Sequence, residues 1–217
     1  MGSVWTSMDT SIHSRGAAGL LAQERIDSFV LDTLPRQGRW HPRDYLWLTD
    51  HSRRLVELTD GFIEVLPMPT DEHQSILAHL YEVFSAFLHA RGGKALFAPL
   101  RLRIRGTTFR EPDLLIVRDA ADPRRDSRFW SGADVVIEIV SPDQPERDFV
   151  HKRHDYAVAN IPEYWIVDPR AAVVTVLELR DGTYVEHGAF ARGALATSTL
   201  LRGFSADVNA IFDAPNA

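Results

Sequence analysis

The sequence, 217 residues long, predicts a single mixed α/β domain with helices packed against a curved β-sheet. Three observations carry that reading. Two Asp-Gly pairs, Asp60-Gly61 and Asp181-Gly182, lie between apolar runs and mark tight hairpins. Residues 70–91 repeat apolar side chains at helical spacing. Two short aliphatic runs, 113–117 and 134–140, read as central strands buried on both faces.

Residues 1–38 mix Ser, Gly and Thr with isolated hydrophobics and form an N-terminal extension, within which 17–31 has the spacing of a short amphipathic helix. The domain proper occupies 39–217. It opens with a short helix at 42–48, followed by strands at 54–58 and 62–66 that Pro67 and Pro69 terminate. Thr70 caps the next helix, and Asp71 and Glu72 place negative charge in its first turn. Ile76, Leu80, Val83, Phe84, Phe87 and Leu88 form its core stripe, and Gly92-Gly93 stops it. Residues 96–105 alternate as one half-buried strand, with Arg101, Arg103 and Arg105 on its outer face. After the two central strands, 147–160 is a helix ended by Asn160. Strands at 163–167, 173–179 and 183–187 complete the sheet.

Composition narrows the function. Apolar residues make up 45% and charged residues 25%, as in an ordinary globular protein. The net charge of -6 argues against wholesale nucleic-acid binding but leaves room for a local basic surface. With no cysteine, disulfides, zinc–thiolate sites and thiol nucleophiles are excluded. No apolar run reaches the roughly 20 residues of a bilayer span, and no signal-like segment opens the chain, so a cytoplasmic protein is expected. Of 24 cationic side chains only Lys94 and Lys152 are lysine, the type whose proton affinity surroundings can tune.

The chemistry concentrates at two acids and one of those lysines. Asp134, Val136, Glu138 and Val140 share a strand face, so Glu138 projects among aliphatic neighbours and needs a cation or strong donors. If the strand bearing Asp113 lies alongside, the two carboxylates converge on one cation. Mg²⁺, with Mn²⁺ as a substitute, suits such a pair because it takes one or two carboxylates and keeps several waters. An ammonium group nearby, that of Lys152, can orient water or stabilise charge at phosphorus. Each piece also has a structural reading. Asp113 can cap a strand entry, Glu138 can pair with Arg101 or Arg103, and Lys152 can pair with Asp148 across one helical turn. Glu64 in a hairpin strand and His73 in a helix's first turn are open to the same reading.

The stretch 111–169 contains Glu111-Pro112-Asp113, Val136-Ile137-Glu138-Ile139-Val140-Ser141-Pro142, Asp148, Lys152, Tyr156 and Glu163-Tyr164-Trp165-Ile166-Val167-Asp168-Pro169. It resembles the Uma-type family of bacterial restriction endonucleases, within the PD-(D/E)xK nuclease superfamily. The likeness extends to 56–64, His73-Gln74 and 201–204, covering roughly 40–212. It implies a restriction-endonuclease-like core: a mixed curved β-sheet flanked by α-helices, with a Mg²⁺-dependent endodeoxyribonuclease site. Asp113 and Glu138 match the family's metal-binding acids, with the Ile139 carbonyl as a further ligand. The superfamily lysine belongs two residues after the second acid, where this chain has Val140; Lys152 matches the lysine that this family uses instead, positioning the attacking water. Glu64 matches an upstream glutamate, and Glu64 or His73 would assist. DNA is the implied partner, with Arg101, Arg103, Arg105, Arg110 and the loop residues Arg124, Arg125 and Arg128 as candidate phosphate contacts. A homodimer is expected because duplex cleavage needs two cuts. The alternative is a catalytically silent nuclease-fold protein acting in binding or assembly, since a fold can outlive its chemistry. RNA or branched DNA would be a third substrate reading.

Overall fold

The structure is a computed structural model that describes residues 34–141 and 146–216. The amphipathic segment expected at 17–31 lies outside the described residues. The described part of the extension is already tied to the domain: the Gln37 side-chain amide donates to the Ile63 carbonyl and accepts from its N–H, both at 2.8 Å.

Helix α1 (Pro42–His51) starts at a proline, whose missing N–H costs nothing in a first turn. It buries Tyr45, Leu46 and Thr49 against the hairpin of β1 (Val56–Thr59) and β2 (Phe62–Val65). The hairpin turn uses positive φ at Asp60 (48°) and Gly61 (89°), the requirement of a type I′ turn. Glycine is needed at 61 for a second reason: a Cβ there would come within 2.9 Å of the Gly38 backbone. Helix α2 (Asp71–His89) follows, with the Thr70 side chain accepting from the His73 N–H at 3.2 Å. Gly92, at φ 75°, follows its end.

Residues 96–105 are not one strand. They divide into β3 (Lys94–Phe97) and β4 (Leu102–Arg105), which belong to different sheets. Pro99 lies in the break, and proline cannot donate to a ladder. The alternation itself is kept, with Leu102 and Ile104 buried and Arg103 exposed. Next come β5 (Thr108–Arg110), β6 (Leu114–Val117) and β7 (Val135–Ile139). A π-helix (Arg147–Lys152) runs into α3 (Arg153–Val158), and Asn160 at φ 54° breaks the chain away from it. Strands β8 (Glu163–Asp168), β9 (Val173–Arg180) and β10 (Thr183–Ala191) follow. The third hairpin strand runs four residues past the expected His187, beyond a register shift between Glu186 and Gly188. The short strands β11 (Leu195–Thr197) and β12 (Ser205–Asp207) and helix α4 (Val208–Asp213) complete the chain. At three residues each, β5, β11 and β12 are too short to leave a periodic signal, and the six-residue α4 is less than two turns long, so the sequence predicts none of the four.

Instead of one sheet there are three, in the orders β2-β1-β5-β4, β10-β9-β8-β7-β6-β3 and β11-β12. In the six-stranded sheet only β7 and β8 pair in parallel, so the π-helix and α3 form the crossover between them. Val135, Ile137 and Ile139 face a core built with Ile76, Leu80, Phe84 and Trp165. Val136 and Val140 face the other way, into a core with Tyr156, Ile161 and Tyr164. The crossover thus lies over the same sheet face as Glu138. Among the described residues no helix is long and apolar enough to cross a membrane.

Candidate active site

The register of β6 and β7 decides whether the two acids meet. Leu114 pairs with Ile137, Leu115 with Val136 and Ile116 with Val135, so the next step outward sets Asp113 opposite Glu138. Residues opposite one another in an antiparallel pair share a face. Asp113 is fixed there by its Oδ2, which accepts from the Ile139 N–H at 2.8 Å and lies 3.2 Å from Nε2 of His73. Glu138 is 2% exposed. The Tyr156 hydroxyl donates to its Oε1, and Nζ of Lys152 is 2.8 Å from its Oε2. Lys152 also reaches Oδ1 of Asp148 at 3.0 Å.

The structure therefore gathers Asp113, Glu138, Lys152 and His73 around one cavity of about 570 Å³. Asp148 belongs with them. The spacing of Asp148 and Lys152 suggested an ordinary surface pair, whereas both are buried within the π-helix, a form enriched at functional sites. Glu64 does not line the cavity; it is exposed on β2 and holds Nη1 of Arg147 at 2.9 Å. Arg147 does line the cavity and also donates to Glu57.

Charge is tightly coupled here. Burial pushes the Glu138 carboxyl upward, with Asp113 and Asp148 adding to the rise and Lys152 opposing it. Burial alone would lower Lys152, but Glu138, Asp148, Glu57 and Asp113 together hold its ammonium protonated, above its ordinary value. Burial likewise opposes the rise at His73, where the hydrogen bond and charge of Asp113 prevail. Nδ1 of His73 is buried without a hydrogen-bond partner among the described residues.

Two buried acids beside this group were not singled out by sequence. Glu57 sits under Arg110 (3.1 Å) and Arg147; although burial works against it, the charges of Lys152, Arg110 and Arg147 bring its carboxyl down to about 2. Glu111 lines the cavity, and its Oε2 accepts from the Val56 N–H at 3.2 Å. Burial and the nearby charge of Glu57 push Glu111 up to about 7. A carboxyl raised in the folded state binds its proton more tightly there than when unfolded. Stability is therefore lost as pH rises through the interval from its ordinary 4.5 to about 7. Glu111→Gln is expected to recover up to about 3 kcal/mol at pH 8, with little change at pH 4. Urea unfolding at the two pH values measures this, and equal effects at both would disprove the assignment.

The arginines expected at phosphates are placed differently. Arg110 is buried: it donates to Asp155 through Nε at 2.9 Å and Nη2 at 2.5 Å, and to Glu57 and Thr59, so it is no surface cation. Arg101 pairs with Asp50 at 2.8 Å, and Arg105 bridges Asp60 and Asp155. In the loop, Arg124 holds Asp122 and Asp134, and Arg128 holds Asp50. Arg103 is exposed without a carboxylate partner among the described residues. A buried arginine leaves no mark in sequence, because its compensating acids lie 45 and 53 residues away.

Among the described residues no group of three or more histidine, aspartate or glutamate side chains forms a metal cage. The donor set at this cavity is smaller than such a cage. Two hard carboxylates that line one cavity and approach from adjacent strands suit Mg²⁺, which retains much of its water.

A solved structure of similar fold supports the architecture. It is the crystal structure of a protein from Anabaena variabilis described as a putative nuclease belonging to DUF820. The match has a TM-score of 0.64 and 21% identity, and covers 76% of this chain and 93% of that one. No significantly similar sequence was found among curated proteins. The family model Uma2, described as "Putative restriction endonuclease", matches residues 42–209. That span takes in both carboxylates, the crossover lysine and every strand of the six-stranded sheet, and the chain belongs to the Uma2 family.

Proposed function

We propose that the protein is a metal-dependent endodeoxyribonuclease that hydrolyses DNA phosphodiester bonds. The observation that carries this reading is the meeting of Asp113 and Glu138 across adjacent strands, with the Lys152 ammonium 2.8 Å from the second acid. Family membership and the fold neighbour's description as a nuclease support it.

Asp113 and Glu138 would hold Mg²⁺ or Mn²⁺, with the Ile139 carbonyl as a further ligand. Such an ion supplies Lewis-acid polarisation of a phosphoryl oxygen and a water of lowered pKa. The protein's own groups do the rest. Lys152 stays protonated between Glu138 and Asp148 and places fixed positive charge where the attacked phosphate gains negative charge. Tyr156 holds the Glu138 oxygen that Lys152 does not, and His73 holds Asp113, so neither carboxylate swings freely. Glu64 acts at one remove by gripping Arg147 at the head of the π-helix.

Incubating purified protein with linear and supercoiled DNA in Mg²⁺, Mn²⁺ or EDTA tests the proposal. Cleavage is expected with either metal and should disappear in EDTA. Intact DNA under every divalent metal would favour the silent-fold alternative. Size measurement by light scattering addresses the expected homodimer.

A further inference from the structure

We infer that this cavity receives an unpaired DNA strand, with Arg53 and Arg170 holding its phosphates and the 66–69 segment packing against a base; the inference rests on the nuclease reading of the site. Two independent features of the cavity lead there. The first concerns cations. The guanidinium groups of Arg101, Arg105, Arg110, Arg124 and Arg128 are already matched to carboxylates. Arg53 and Arg170 are exposed, line the cavity, and have no carboxylate partner among the described residues. They come from two separate connections, the α1–β1 loop and the β8–β9 turn. A phosphate can thus be met here without breaking an existing ion pair.

The second feature is apolar. Leu66, Pro67, Met68 and Pro69 form a continuous stretch of cavity wall, joined by Leu55. Met68 is 78% exposed, so the described residues leave most of its side chain uncovered. A duplex keeps its base faces stacked and offers a protein its phosphates and groove edges, against which leucine, proline and methionine have little to gain. An unpaired base presents its flat aromatic face, and single-strand sites combine such a face with backbone-tracking cations. The methionine thioether packs favourably against aromatic rings. A site with few unmatched cations also forgoes the many phosphate contacts that give duplex binders their affinity.

The probe is a fluorescein-labelled 12-nucleotide strand, compared with its blunt duplex by anisotropy in Ca²⁺, with the label checked for integrity on a gel. The single strand should bind at least about tenfold more tightly than the duplex. Arg53→Gln and Arg170→Gln should each weaken single-strand binding roughly three- to tenfold and reduce the slope of log affinity against log salt by about 0.7. Arg39→Gln, exposed and outside the cavity, should change neither. Met68→Trp should tighten single-strand binding without affecting the duplex. Equal or tighter duplex binding overturns the inference, as do unchanged affinity and slope in both arginine variants. Parallel cleavage assays in Mn²⁺ keep the two ideas separate. Cleavage confined to duplex defeats this inference and leaves the nuclease reading standing; selective strand binding without cleavage of either form defeats the nuclease reading and supports the strand-binding assignment.

Discussion

Asp113→Asn and Glu138→Gln will each slow DNA cleavage by about 10²- to 10³-fold, the loss seen when one preorganised charge-stabilising group is removed from an active site. The two exchanges are chosen to preserve local structure. An asparagine oxygen can still accept from the Ile139 N–H, and a glutamine oxygen can still accept from Lys152 while its amide nitrogen donates to the Tyr156 oxygen. What each variant loses is a negative charge facing the cavity. Mn²⁺ affinity by calorimetry should therefore fall alongside the rate, while the thermal transition stays close to that of the wild type. Full-rate cleavage by either variant would remove that acid from the chemistry. Loss of rate with unchanged metal affinity would assign it a role other than ligation.

The second large effect is on stability. Arg110→Ala should destabilise the protein by roughly 3–5 kcal/mol, the cost of leaving buried charge without its partner. Arg110 serves two buried acids at once, Glu57 at 1% exposure and Asp155 at 5%. After truncation Glu57 keeps Arg147 and Asp155 keeps Arg105 at 3.3 Å, but neither replaces the paired donors on Asp155. Arg110→Lys should recover only part of the loss, because an ammonium cannot reproduce that fork. The pH dependence carries its own sign. Glu57, brought down to about 2 in the folded protein, contributes stability that is present above its ordinary 4.5 and lost as pH falls towards 2. The gap between Arg110→Ala and wild type should narrow over that range. A loss of unfolding free energy below about 1 kcal/mol at pH 7, measured by urea titration, would show the network to be dispensable.

Features governed by a few neighbouring residues could be read from the chain directly. The positive-φ turns at Asp60-Gly61 and Asp181-Gly182, the Thr70 cap and the Asn160 break all have local causes. The juxtaposition of Asp113 and Glu138 was also legible, because carboxylates beside aliphatic runs advertise a compensating partner. The division of 96–105 was less accessible. Its alternation fits one strand or two, and only Pro99 hinted at the break. Arg110 and Glu57 were harder still: each looks like a surface charge until the strands from distant parts of the chain are assembled around it. Asp148 carries no stronger signal, since its spacing from Lys152 is the same on an exposed helix as on a buried one.

The π-helix at 147–152 has a consequence for how this chain can vary. Its i→i+5 bonding accommodates one residue more than an α-turn, so the bearing of the lysine amine is set by counting positions along a single winding. Dropping one residue from that winding would restore ordinary spacing and turn Lys152, together with the buried Asp155 and Tyr156 that follow it, by about 100° relative to the chain before it. The length of this short stretch therefore ties the direction of the lysine to the seating of the helix behind it.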